Sequence, residues 1–195
     1  MVGLYEVRID LIGQGWTEVA LKLRKPWIAC NRRADEGGQW QKSEAERVEE
    51  LLKASRLGAD IVDIELRTQN LEGIVKVIKN RAKCLLSWHE LKKTPPFGEL
   101  KEIIQRQLKA GADICKVVTS AQRLEDNFVH LKLIREFPQA KIVSFAMGPL
   151  GFSSRVLSPL VGGEFTYASI KKGKESASGQ ITVGELIEIY GMVTR

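Results

Sequence analysis

Gly111-Ala112-Asp113-Ile114-Cys115-Lys116-Val117-Val118 decides how this chain is read, because Gly58-Ala59-Asp60 runs into Ile61-Val62-Asp63-Ile64-Glu65-Leu66 in the same way 53 residues earlier. Each copy closes a segment of helical period and enters a short apolar run, the junction of a helix with a buried parallel strand. A repeat spaced by two such units favours a parallel (β/α) barrel over an open doubly wound sheet. No glycine-rich phosphate loop follows the first strand, and Gly37-Gly38 is too short to be one.

Working outward, the same alternation predicts seven strands, at Tyr5–Asp10, Trp27–Arg32, Ile61–Leu66, Cys84–His89, Ile114–Val118, Ile142–Met147 and Phe165–Ser169. Two of the intervening helices open on capping boxes, Ser43 with Glu46 and Thr182 with Glu185. Another begins near Pro95-Pro96 and runs through Leu100, Ile103-Ile104 and Leu108.

Lys116 is out of place in its strand. Side chains alternate, so it shares a face with Ile114 and Val118 while Cys115 and Val117 point the other way, and both faces should be apolar. An unpaired buried ammonium is costly and sheds its proton, leaving an amine able to condense with a carbonyl. A lysine that snorkels from the strand end to water is the competing reading.

The chain has 195 residues, 44% of them hydrophobic, with no low-complexity tract, which fits one compact domain over residues 1–195. No apolar stretch is long enough to span a bilayer and the N-terminus lacks a signal pattern, so a cytoplasmic protein with no membrane partner is expected. Cys30, Cys84 and Cys115 stand singly on predicted strands, which suggests neither a disulfide framework nor a zinc site. The formal charge of +6 is spread and mixed with acids, a poor footprint for nucleic acid.

Alternation then turns strands into a site. Glu6, Arg8 and Asp10 share one face of the first strand, Asp63 and Glu65 one face of the third, and Ser87 and His89 one face of the fourth. Arg32 ends the second. In a parallel barrel the outer face is covered by helices, so charges on several strands converge at the C-terminal mouth. His89, beside a buried lysine, is the natural proton-transfer group; His130, in the amphipathic stretch Leu124–Phe137, reads as a helix-surface residue.

In this order the motifs resemble one known family, the type I 3-dehydroquinate dehydratases. They are Glu6-Val7-Arg8-Ile9-Asp10; Arg32 with Glu36-Gly37-Gly38; Gly58-Ala59-Asp60 with Asp63 and Glu65; Ser87-Trp88-His89 with Thr94-Pro95; Gly111-Ala112-Asp113 with Lys116; Met147-Gly148 with Gly151 and Ser154-Arg155; and Ser176-Ala177 with Gly179-Gln180. The resemblance implies a (β/α)8 barrel and conversion of 3-dehydroquinate to 3-dehydroshikimate without cofactor or metal. It implies that Lys116 forms a Schiff base with the C3 ketone, that His89 removes the C2 proton and assists loss of the C1 hydroxyl, and that Glu36 orients His89. Arg155 would clamp the substrate carboxylate, and Glu6, Arg8 and Arg32 would bind ring hydroxyls and balance charge. Ser176 and Gln180 would close as a lid, with Met147 and Tyr167 as apolar walls; Asp63 and Glu65 match without an assigned role.

Two departures stand out. Ser178 replaces the family's usual proline, and the chain starts almost at the Glu6-x-Arg8 strand, so the first βα unit of the barrel is missing or truncated. Bare strand edges call either for closure within the chain or for a second copy over the seam, which makes a homodimer the expected assembly. A class I aldolase-like barrel acting on another carbonyl, or a silent carboxylate-binding barrel, are the alternative readings.

Overall fold

The computed structural model describes residues 2–24 and 26–193. It is an α/β fold with six strands, β1 (Tyr5–Arg8), β2 (Trp27–Cys30), β3 (Ile61–Glu65), β4 (Lys83–Glu90), β5 (Ile114–Ser120) and β6 (Ile142–Met147), which neighbour one another in sequence order. The pairings β1 to β2, β2 to β3 and β3 to β4 are parallel. Helices alternate with the strands: α1 (Ile9–Ile12) and α2 (Trp16–Leu21), α3 (Glu44–Arg56), α4 (Leu71–Lys79), α5 (Phe97–Lys109), α6 (Asp126–Glu136), α7 (Phe152–Leu157) and α8 (Val183–Val193).

The Gly-Ala-Asp repeat has a definite structural job. Asp60 accepts the amide of Trp27, the first residue of β2, at 2.9 Å, and Asp113 accepts the amide of Cys84 at the start of β4 at 2.8 Å. Each aspartate thus ties the entry of its own strand to the start of the preceding one and satisfies a donor that a strand end would otherwise leave open. Both capping boxes form as expected. Ser43 and Glu46 bond reciprocally ahead of α3, as do Thr182 and Glu185 ahead of α8.

Three strand expectations need correction. Phe165–Ser169 is not a strand; among the described residues its only ladder contact is an isolated bridge between Ser169 and Thr182. Aromatic and β-branched residues gave Phe165-Thr166-Tyr167 its strand character, but Phe165 and Tyr167 serve in an edge-to-face aromatic cluster with Phe145 instead. The first strand stops at Arg8, since Ile9 and Asp10 already lie in α1, which ends on Gly13. The second stops at Cys30, two residues before Arg32. Among the described residues no strand precedes β1.

The chain divides into two compact units, one running to His89 and taking in Glu102–Lys116, the other comprising Glu90–Lys101 and Val117 onward. In the first, Val7, Ile28, Ala29, Val62, Ile64 and Leu86 are buried on the strands, with Leu51 and Ala54 of α3 and Val75 and Ile78 of α4 buried among the helices. All five residues of β3 are buried, so Asp63 and Glu65 are not on a solvated face. In the second unit Val143, Phe145 and Ala146 of β6 are buried, as are Leu133 and Ile134 of α6.

His130 is the clearest reversal. It is fully buried rather than on the helix surface, with Nε2 2.7 Å from the Thr119 hydroxyl and Nδ1 2.7 Å from the Ser144 hydroxyl. The amphipathic pattern of α6 is weak, so its polar and apolar faces were not separable by sequence, and a buried imidazole is tolerated because both ring nitrogens have partners. Burial pulls its pKa down to about 3, so it is neutral.

Candidate active site

The parallel register lines up the chemistry of the first unit. Arg8 pairs with Cys30, Cys30 with Asp63 and Glu65 with Ser87, so polar side chains from neighbouring strands stand side by side. Lys116 is 5% exposed, and its ammonium donates to Asp63 Oδ2 at 2.9 Å, with Glu6 Oε1 at 3.9 Å. The buried lysine therefore has a carboxylate partner, against the sequence argument for an unpaired one. The same Asp63 oxygen accepts from Arg32 Nη2 at 2.6 Å, and its other oxygen accepts from the Ser87 hydroxyl at 2.6 Å. Burial alone would raise the Asp63 pKa, but the Arg32 and Lys116 cations hold it well below the usual carboxylate range.

Arg32 is the centre of this network. Its two terminal nitrogens reach Asp63, Glu65 at 2.9 Å, Ser87 at 2.5 Å and the Cys30 sulfur at 3.3 Å, so four of its five donors are taken by the protein. That arrangement suits charge balance better than binding of ring hydroxyls. Arg8 forks onto Asp10 at 2.8 and 2.7 Å, and Asp10 also accepts the Gln39 amide at 3.1 Å, which ties the loop after β2 to β1.

That loop carries Glu36. A short 3-10 turn over Ala34–Glu36 buries the carboxylate, and Gly38 follows where a Cβ would lie 1.9 Å from the Arg32 carbonyl oxygen, so only glycine lets the chain fold back this closely. Glu36 Oε2 receives the His89 backbone amide at 3.0 Å and stands 2.9 Å from His89 Nδ1. An Nδ1–H directed at the carboxylate leaves Nε2 as the free base. Burial, with Arg32 and Lys116 nearby, pushes the His89 pKa well below its ordinary value, so the ring is neutral; burial raises Glu36 to about 7.

In the second unit Arg155 is buried, only 1% exposed, with its guanidinium 4.2 Å from the Phe145 ring centre. Among the described residues its one hydrogen bond is to the Ser178 carbonyl at 3.4 Å, Nε has no hydrogen-bond partner, and no carboxylate pairs with it. Burial lowers its pKa to about 10. Ser176 donates its amide to the Gln180 side-chain oxygen at 2.8 Å, which closes a turn between the two residues. Gly179, with φ +72°, sits where a Cβ would lie 2.4 Å from the Gly148 carbonyl oxygen, and the Ser178 carbonyl accepts the Gly148 amide at 3.2 Å. Met147, at the end of β6, is half-buried, as is Tyr167.

The coordinates thus gather Lys116, Asp63, Glu6, Arg32, Glu65 and Ser87 into one network, with His89 and Glu36 joined as a pair and electrically coupled to it. One member escaped the sequence reading. Arg47 of α3 is 1% exposed and places Nη1 2.6 Å from Glu65 Oε2. Its signal was its place on the buried stripe of α3, one turn before Leu51 and two before Ala54.

Comparison with known proteins follows the same line. A family model described as type I 3-dehydroquinase matches residues 2–195. The 3-dehydroquinate dehydratase of Dehalococcoides mccartyi is 48% identical over 189 residues, covering 97% of this chain and 85% of the relative. That of Methanocaldococcus jannaschii is 36% identical over 194 residues, covering 97% and 87%. Among solved structures, the type I 3-dehydroquinate dehydratase of Clostridium difficile superposes with TM-score 0.87 at 24% identity over 98% of this chain and 81% of that one. The Aquifex aeolicus 3-dehydroquinate dehydratase gives 0.80 at 25% identity over 100% and 89%. With its motifs in family order and its whole described length matched, the chain belongs to the type I 3-dehydroquinase family.

Proposed function

We propose that this 3-dehydroquinate dehydratase, a hydro-lyase of the shikimate pathway, works through an imine on Lys116. The observation that carries the assignment is a buried lysine, paired with Asp63 at 2.9 Å, beside a neutral histidine that Glu36 holds by Nδ1. The Lys116 nitrogen adds to the C3 ketone and water leaves, giving a protonated imine. His89 Nε2 then takes the C2 proton, the C2 electron pair is drawn into the imine, and the C1 hydroxyl departs as water with the proton His89 returns. Hydrolysis of the conjugated imine frees the lysine. The imine is the electron sink, so the route needs no cofactor or metal.

Arg155 is assigned to the substrate carboxylate. A buried guanidinium without an anionic partner is costly, and a planar carboxylate answers it with two charge-assisted hydrogen bonds. Glu6 and Arg8 are assigned to ring hydroxyls and Arg32 to charge balance. The turn joining Ser176 to Gln180 would act as the lid, and Met147 and Tyr167 as apolar walls. At the level of the whole molecule we assign a single (β/α) barrel, a cytoplasmic location and a homodimer.

Sodium borohydride added with substrate or product should reduce the imine to a stable secondary amine on Lys116. Peptide mapping reads the outcome. An adduct on a different lysine, or none in turning-over enzyme, removes Lys116 from the mechanism.

A further inference from the structure

Five side chains in the first unit form a line of alternating charge. Lys116 holds Asp63 at 2.9 Å, Asp63 holds Arg32 at 2.6 Å, Arg32 holds Glu65 at 2.9 Å, and Glu65 faces Arg47 at 2.6 Å. The outer end is fixed by α3. Arg47 donates to the Asn31 carbonyl at 2.8 Å, to Thr68 at 3.1 Å, and through Nε and Nη2 to Glu44 at 2.8 and 2.9 Å.

We propose that Arg47 is a positioning residue for the reacting lysine, acting through Glu65 and Arg32 to set how firmly Asp63 holds the Lys116 proton. Two carboxylates compete for one guanidinium. Arg32 is shared by two buried carboxylates, and Arg47 neutralises the one farther from the lysine. Without Arg47, the Glu65 charge draws Arg32 toward itself and away from Asp63 Oδ2, the oxygen that Lys116 also uses. Asp63 is left with more unshared charge, the ammonium is held more tightly, and less free amine exists at a given pH. Loss of the Arg47 cation from the same buried region acts in the same direction. Glu6 of β1 also stands 3.9 Å from the amine, and His89 of β4, oriented by Glu36, is electrically coupled to it; both stay in place in this comparison.

This rests on Lys116 being the imine-forming residue, and the test separates the two ideas. The rate of reductive trapping of 3-dehydroshikimate on Lys116 by cyanoborohydride is followed across pH in the wild type, Arg47→Met and Arg47→Lys. Removal of a buried charge of this kind should move the midpoint of that profile upward by about one pH unit in Arg47→Met. Arg47→Lys keeps the charge but loses the fork, so its midpoint should rise by roughly a third as much. Both variants are expected to lose thermal stability, which is measured separately. If Arg47→Met does not fold, the Arg47→Lys midpoint alone decides. Midpoints equal to the wild type, whatever the loss of stability, reduce Arg47 to a packing role and overturn the proposal. Absence of any Lys116 adduct in the wild type would instead sink the imine assignment.

Discussion

Lys116 in the first unit and Arg155 in the second are both long cations buried away from water, yet their surroundings are opposite. Around Lys116 the counter-charges are already built in: Asp63, Glu6, Arg32, Glu65 and Arg47 neutralise one another in a chain. Arg155 has an aromatic ring beneath it, one long hydrogen bond and a partnerless Nε. The lesson concerns where each kind of energy is spent. On the roles proposed above, the group that makes and breaks a bond is held by a preorganised field, while the group that binds an anion is kept hungry for it.

The largest effect should come from replacing Lys116. Lys116→Ala removes the nucleophile and strands Asp63 beside one fewer cation, so both turnover and borohydride labelling should vanish. Lys116→Arg keeps the charge opposite Asp63 and tests the chemistry with less disturbance of the network. Turnover in Lys116→Arg near the wild-type rate, followed by absorbance of the conjugated product, would show that the field matters and the nucleophile does not.

Next comes the proton-transfer pair. His89→Ala should still give the trapped adduct but lose about 10²- to 10⁴-fold in turnover, the range for a positioned acid–base group. The wild-type rate should also fall as pH drops through about 7, where Glu36 takes up a proton. The raised Glu36 value means the carboxylate that accepts Nδ1–H exists only above that pH; below it the protonated acid no longer enforces the tautomer with Nε2 free. Glu36→Gln should flatten this acidic limb. If the limb persists unchanged in that variant, Glu36 is not its source.

Arg155→Ala should weaken substrate binding by about 1.5–3 kcal/mol, the value of hydrogen bonds to charged groups, which is roughly 10- to 150-fold in affinity. An analogue without the carboxylate should be indifferent to the change. Equal losses for both ligands would make Arg155 a structural cation and erase its contrast with Lys116.

How much of this was legible in the sequence depended on whether a signal was local. Strand alternation placed Asp63, Glu65, Ser87 and His89 correctly on shared faces because period two survives any tertiary arrangement. The Gly-Ala-Asp repeat was visible as spacing, but its purpose, the aspartate on an amide at the start of the neighbouring strand, exists only once strands are paired. Phe165–Ser169 misled because strand-like composition reports a half-buried surface rather than a ladder. The pairing of Lys116 with Asp63, and the reach of Arg47 from α3 to Glu65, span 53 and 18 residues of sequence and have no local trace.

His130 was misread for the same reason, and it supplies the smallest and most separable test. In the second unit it bridges Thr119 of β5 and Ser144 of β6, and Thr119 in turn lies 2.7 Å from the Thr94 hydroxyl. The imidazole is a fully satisfied strut, so His130→Ala should cost about 1–3 kcal/mol of stability from the donors and acceptors it leaves unpaired. Its kinetic constants per folded molecule should not change. The folded-state value near 3 lies below the ordinary 6.5, so the unfolded chain takes up a proton that the folded one refuses. The stability His130 contributes is therefore complete above about 6.5 and erodes as pH falls toward 3, by at most about 1.4 kcal/mol per pH unit. Urea unfolding at pH 7.5 and pH 5 should then show the gap between wild type and His130→Ala narrowing at the lower pH. A gap of constant size would mean that the histidine takes up its proton equally in the folded and unfolded chain, and a gap that widens at pH 5 would mean that it is protonated in the folded protein with the hydroxyls of Thr119 and Ser144 both acting as acceptors.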